Sequence, residues 1–215
     1  MRLPGRILEP VERVSEILFG LIMALTVTGA VSVATADSSQ IRTMLIAALG
    51  CNLAWGIIDA GMYLMARLGE RGRSALAAKA VRATSDREAA RRIIADELPQ
   101  PLSSLLQPAH LDSVREGIEQ IPASELRPRL LGTDWLGAVG VFLMVVLSTF
   151  PVVVPFIFIN DARLALRVSN TLAVLLLFLC GFFFARYAGL HPWVTGLIMV
   201  AIGIAMVSIT IALGG

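Results

Sequence analysis

The chain has 215 residues, 56% of them hydrophobic and 16% charged, with a formal charge of +2 at neutral pH. Together with a mean hydropathy of +0.77, this is more apolar than a soluble domain of the same length, and it makes a lipid bilayer the expected solvent. The 18 basic residues, all arginine except Lys79, are nearly matched by 16 acids, which excludes the one-signed basic surface of a nucleic-acid-binding protein.

Residues 1–15 carry Arg2, Arg6 and Arg13 but also Glu9 and Glu12. The apolar stretch that follows is too long for a signal-peptide core, so no cleaved leader is expected and the first helix itself drives insertion. An uncharged run at 17–36 supplies twenty residues, enough at 1.5 Å per residue to cross a hydrocarbon core of roughly 30 Å. After the polar turn at 37–42, apolar character resumes over 44–65 with one interruption, Asp59. Residues 136–159 form a third apolar run containing Pro151 and Pro155, which remove backbone donors and predict a kink or break in its second half. Runs at 168–185 and 193–213 complete the set, joined by a segment with Tyr187, His191 and Trp193, residue types suited to a water–lipid boundary.

Between the second and third runs the composition changes. Charges dominate over 67–134, and prolines fall at 99, 101, 108, 122 and 128. Ser85-Asp86-Arg87-Glu88 reads as a capping box with Ser85 as the cap, opening a helix to about residue 98. A second helix is predicted over 109–121 and a short third one around 124–131. The expected fold is therefore an all-α membrane protein with five transmembrane helices. It divides into an N-terminal region, 1–66, a cytoplasmic helical insertion, 67–134, and a C-terminal three-helix region, 135–215. Orientation follows from arginine and lysine. With the N-terminus inside, fifteen basic residues are cytoplasmic and three, Arg42, Arg163 and Arg167, lie outside. The C-terminus is then expected outside. The preference for Arg over Lys and the high Ala content point to a bacterial plasma membrane.

An ionisable group at membrane depth costs about 2.5–3.5 kcal/mol to insert and marks a functional candidate. Asp59 is the one well inside an apolar run. Asn52, Trp55, Asp59 and Met62 recur at i, i+3, i+7 and i+10, a helical stripe that would offer a carboxamide, a carboxylate and a thioether to a passing cation. The bland reading is that Asp59 pairs with an arginine or a hydroxyl for packing alone. Thr26, Thr28, Ser32 and Thr35 of the first run read as helix-contact residues. Pro151 and Pro155 are pathway candidates because a broken helix frees carbonyls. In the insertion, Asp112, Glu116 and Glu119 share one helical face with His110 just upstream. A facing set from Glu88, Asp96 and Glu97 would complete a hard-metal surface. Arg87, Arg91 and Arg92 interleave with those acids, which favours ordinary salt-bridged helices instead. Cys51 and Cys180 lie far apart in apolar runs and read as packing residues. No nucleophile–base pattern, phosphate-binding glycine loop or zinc spacing occurs in the sequence, so an enzyme is not expected.

Two helices, a helical insertion and three further helices resemble the layout of the vacuolar iron/manganese transporter family. Phe150-Pro151-Val152-Val153-Val154-Pro155-Phe156 resembles that family's proline-containing third helix. The segments at 178–186 and 196–203 resemble its last two. The resemblance implies a homodimer that moves Fe(II) or Mn(II) out of the cytosol in exchange for protons. It implies no permanently bound cofactor, and metal capture through glutamates of the insertion. Where the family's first helix carries an Asp-Gly pair, this chain has Phe19-Gly20, and of the family's repeated Glu-x-x-Glu pairs it has Glu116-Gly117-Ile118-Glu119. A family member that has lost transport and serves as a membrane scaffold is the alternative expectation.

Overall fold

The computed structural model describes residues 10–29, 38–99 and 102–212, and among them every regular element is a helix, with no strand. In chain order the helices are α1 (Pro10–Gly29), α2 (Ser38–Ala83), α3 (Arg87–Asp96), α4 (Leu102–Leu105), α5 (Pro108–Gln120), α6 (Gly132–Ser148), α7 (Phe150–Phe158), α8 (Ala162–Ala188) and α9 (Pro192–Ala212). Three stretches of the described residues are long and apolar enough to cross a bilayer: Leu45–Ala83, Gly132–Phe158 and Leu164–Ala188. Pro192–Met206 is a shorter apolar helix. Their outer faces expose large apolar side chains, among them Ile57, Leu143, Phe183 and Leu197. Surfaces of this kind are stable in lipid and prone to aggregate in water. The chain is a helical membrane protein.

It divides into two compact units, Met1–Tyr63 with Leu136–Gly215, and Leu64–Trp135. In the first, α8 packs against α9, α7 and α1, and α1 also meets α9, around a core of Leu21, Ala24, Leu25, Val152, Ala173 and Leu177. Lipid tails are as apolar as leucine, so close packing rather than water exclusion holds such helices together, and close packing needs small residues at crossings. Gly20 is one. A Cβ there would collide with the Ser148 hydroxyl and lie 2.8 Å from the Val145 carbonyl oxygen.

The third apolar run breaks where its prolines predict. Pro151 has no N–H to give the Leu147 carbonyl, and its ring crowds the preceding turn, so α6 ends at Ser148 and α7 begins at Phe150 with Thr149 between them. Hydroxyls occupy carbonyls around the break: Ser148 donates to Val145 O at 2.7 Å and Ser169 to Val152 O at 2.7 Å. The α8–α9 turn closes on Gly189, whose φ of 71° is open to glycine at little cost. There the Leu190 N–H reaches back to Ala185 O at 2.9 Å, the 6→1 bond of a Schellman ending.

In the second unit, the later turns of α2 continue past the apolar run to Ala83. Ala, Leu, Arg, Lys and Glu sustain the helix there despite Gly69 and Gly72. Val81 packs with Ala90, Ile94 and Leu111 of α3 and α5. Two local expectations are corrected. The cap of α3 is Asp86, not Ser85: the Asp86 carboxylate accepts from the Glu88 N–H at 2.9 Å, as the shorter two-residue reach of an Asx cap favours. Residues 124–131 form turns and extended chain instead of a helix, because Pro128 biases Arg127 away from helical backbone.

Arg71 and Asp134 form the most complete ion pair in this unit. Two guanidinium nitrogens meet two carboxylate oxygens at 2.5 and 3.0 Å, and the same guanidinium donates to Arg129 O at 2.7 Å. The Leu131 N–H donates to Asp134 at 2.6 Å, and the Asp134 side chain is 2% exposed. Removing one member of such a pair leaves a buried charge without its counter-ion. We predict that Arg71→Ala costs about 3 kcal/mol in detergent unfolding and raises hydrogen exchange at residues 129–134. Arg71→Lys, which keeps the charge and loses the fork, should fall between.

Candidate cation site in the membrane helices

Helix α2 brings the site together by its periodicity. At about 100° per residue, Asn52, Gly56, Asp59 and Tyr63 fall within an arc of about 60°, and this arc faces the protein. Asn52 is 1% exposed, Asp59 is half-buried, and Tyr63 packs over Gly137. Trp55 and Met62 sit a further 40–60° round, by the same about 100° step, and are 46% and 55% exposed. The expected four-residue stripe therefore divides. Its amide and carboxylate turn inward, and its indole and thioether turn outward.

Helix α1 meets this face in antiparallel register, in three rungs. At the first, the Glu16 carboxyl lies beside the Asp59 carboxyl. At the second, the Asn52 amide donates to Gly20 O at 3.4 Å and to the Thr149 hydroxyl at the α6–α7 break. At the third, the Cys51 thiol donates to the Met23 sulfur at 3.2 Å. From Glu16 to Met23 is seven residues, about 10 Å along the helix. Carboxyl oxygens are hard ligands of the kind a divalent cation accepts. The Asn52 side-chain oxygen is buried with no hydrogen-bond partner among the described residues, although buried amide oxygens are nearly always satisfied.

The proline candidates lie beside the second rung. Pro151 opens α7 and Pro155 is buried within it; the hydroxyl reaching Asn52 belongs to Thr149, which sits at the break that Pro151 creates. Ser32 and Thr35 lie outside the described residues, as do the side chains of Thr26 and Thr28. Cys180 packs against the apolar core of the first unit.

Several acids of the second unit bind arginines. Asp112 holds Arg91 through two oxygens at 2.9 and 2.6 Å. Glu88 lies 3.5 Å from the same guanidinium, and Glu119 pairs with Arg115 at 3.0 Å. Glu116 is exposed, and Glu97 borders a shallow groove of about 430 Å³ with Asp96 and Arg73. His110 accepts the Gln107 N–H through Nδ1 at 3.2 Å, a helix-capping contact. Among the described residues no three His, Cys, Asp or Glu side chains gather as metal ligands.

Glu16 and Thr149 are the site residues that sequence reasoning passes over. Glu16 lies one position before the uncharged run and so is excluded by the way that run is delimited. Its signal is the i, i+4 spacing to Gly20, the residue through which α1 approaches its neighbours. No protein-family model matches the sequence, and no curated protein matches it at a significant level.

The hydrogen bonds from Arg91, opposed in part by burial and assisted by the charges of Arg91, Arg87 and Arg115, hold the Asp112 carboxyl below its ordinary range. A depressed folded value means that the pair stabilises the fold at pH above the unfolded carboxylate value of about 3.9 and that this support is lost as pH falls through the folded value. Hydrogen exchange in α3 and α5 should therefore accelerate only below about pH 4 in the native chain. Asp112→Asn should exchange faster at neutral pH and lose that acid step.

Proposed function

We propose that this protein is a divalent transition-metal transporter-like membrane protein that exports Fe(II) or Mn(II) from the cytosol. The observation that carries the reading is the Glu16–Asp59 carboxyl pair on the α1–α2 face, followed one rung on by the Asn52–Thr149 contact at a broken helix. In this reading the two carboxyl groups share a proton when no cation is bound, and an entering cation displaces it to solvent, so metal movement one way and proton movement the other use the same oxygens. Glu16 stands on the helix where the resembled family carries its acid, one turn before Gly20 instead of directly next to it. A transport site needs only transient ligands, and waters complete the shell of a hard divalent ion. In this reading α1, the apolar part of α2, the α6–α7 pair, α8 and α9 are five spans. The N-terminus and the 67–134 insertion are cytoplasmic by the fifteen-to-three division of basic residues. The protein works as a homodimer in a bacterial plasma membrane.

The second reading, a relative that has lost transport and scaffolds a partner, is favoured by one observation: Asp112, Glu88 and Glu119 are engaged by arginines. The transport reading accordingly assigns the membrane carboxylates the main role and the insertion acids a secondary one.

Proteoliposome uptake of Fe(II) and Mn(II) down an opposing proton gradient tests the choice. The native protein should accumulate metal. Asp59→Asn and Glu16→Gln should each lower the initial rate by about tenfold or more, while Glu116→Gln should leave it within about twofold, in the range of exposed surface changes. Uptake by the native protein no faster than by empty vesicles sinks the transport reading and leaves the scaffold.

A further inference from the structure

The third rung of the α1–α2 contact differs in chemistry from the other two. Cys51 and Met23 come from different helices, their sulfurs are 3.2 Å apart, and both side chains are half-buried in the first unit. The neighbouring residue, Asn52, holds the buried amide oxygen that has no partner among the described residues. A thiol and a thioether converging on one point are soft ligands, which select cations such as Cu(I) and Ag(I) over hard divalent ions. We infer that Cys51 and Met23 form a binding site for a soft monovalent cation, distinct from the oxygen site at Glu16 and Asp59.

Charge decides the class of ion. On binding, the Cys51 S–H bond breaks and its proton leaves to solvent, a thiolate–metal bond forms, and the Met23 sulfur contributes a lone pair without changing charge. One thiolate and one monovalent cation give a neutral complex. The same two ligands around a divalent cation would leave a net positive charge among apolar helices, where an unbalanced charge is heavily penalised. Neither Cu(I) nor Ag(I) needs a third ligand, so the absence of a His, Cys, Asp or Glu trio among the described residues is no obstacle. With metal–sulfur bonds of about 2.3 Å, the value for zinc thiolates, a linear complex sets the sulfurs about 4.6 Å apart. The pair must therefore open by about 1.4 Å, a movement within reach of methionine's three rotatable bonds.

Silver is the probe of choice because it undergoes no redox change. The full chain, purified in detergent as Cys180→Ser so that Cys51 is its remaining thiol, is titrated with Ag(I) against a competing chelator. The expected result is one tightly held Ag(I) per chain, with one proton released per ion. Met23→Leu, which preserves apolar bulk, should weaken binding by about tenfold or more, and Cys51→Ala should abolish the tight site. Asp59→Asn should bind Ag(I) as tightly as its parent, which separates this inference from the divalent-transport reading. Absence of tight binding overturns the proposal, as does equal affinity in the parent and Met23→Leu, since a thiol acting alone would give that result.

Discussion

Within hydrocarbon a polar group has no water to turn to, and this constraint organises the first unit around the break at Thr149. Pro151 withdraws a donor from α6 and forces the chain to restart. The freed and neighbouring carbonyls then need partners that only side chains can supply. Ser148 and Ser169 supply two, at Val145 and Val152. Thr149, left between two helices, takes the Asn52 amide, and Asn52 in turn binds the Gly20 carbonyl. One missing N–H thus links α1, α2, α6 and α8 through hydroxyls and an amide. Gly20 has no side chain for the same reason: the backbones at this level come too close for one.

The same constraint explains the register of α1 on α2. An acid in lipid needs a partner, and the Asp59 carboxyl finds another carboxyl, Glu16, in place of an arginine. An arginine would hold Asp59 as a permanent, inert pair. The second unit illustrates the contrast. There Asp134 and Asp112 each take an arginine fork, and Arg82 donates to the Glu119 and Ile121 carbonyls at 2.6 Å at the end of α5. Those charges fasten helices.

Much of this was legible in the residues. The break at the paired prolines follows from the absence of a donor, and Asp59 stands out as a candidate because of the cost of burying charge. Helix α5 follows from the segment between Pro108 and Pro122. What periodicity does not define is the centre of a helical face. Asn52, Trp55, Asp59 and Met62 satisfy one spacing rule, yet they spread over about 80° at 100° per residue, and only the contacts with α1, α6 and α7 decide which edge is inside. Glu16 escapes because hydropathy delimits a span by its first charge, while a helix continues through that charge whenever a partner awaits it. Ser85 and Asp86 are adjacent, both competent caps, and propensity alone does not resolve the choice between them.

The contact between α1 and α2 also grades from hard to soft. Carboxyl oxygens stand at one rung, amide and carbonyl oxygen at the next, and thiol and thioether at the third, all within about 12 Å of helix. Helices held together by packing alone would be served equally well at every rung by Ala, Gly or Leu, which carry no lone pairs to satisfy and fit close crossings better. Retaining a donor pair at each rung costs packing quality and gains a run of electron pairs along one interface. Hydrogen bonds between side chains also hold membrane helices together, and the lone pairs gathered along this interface support the proposed cation site.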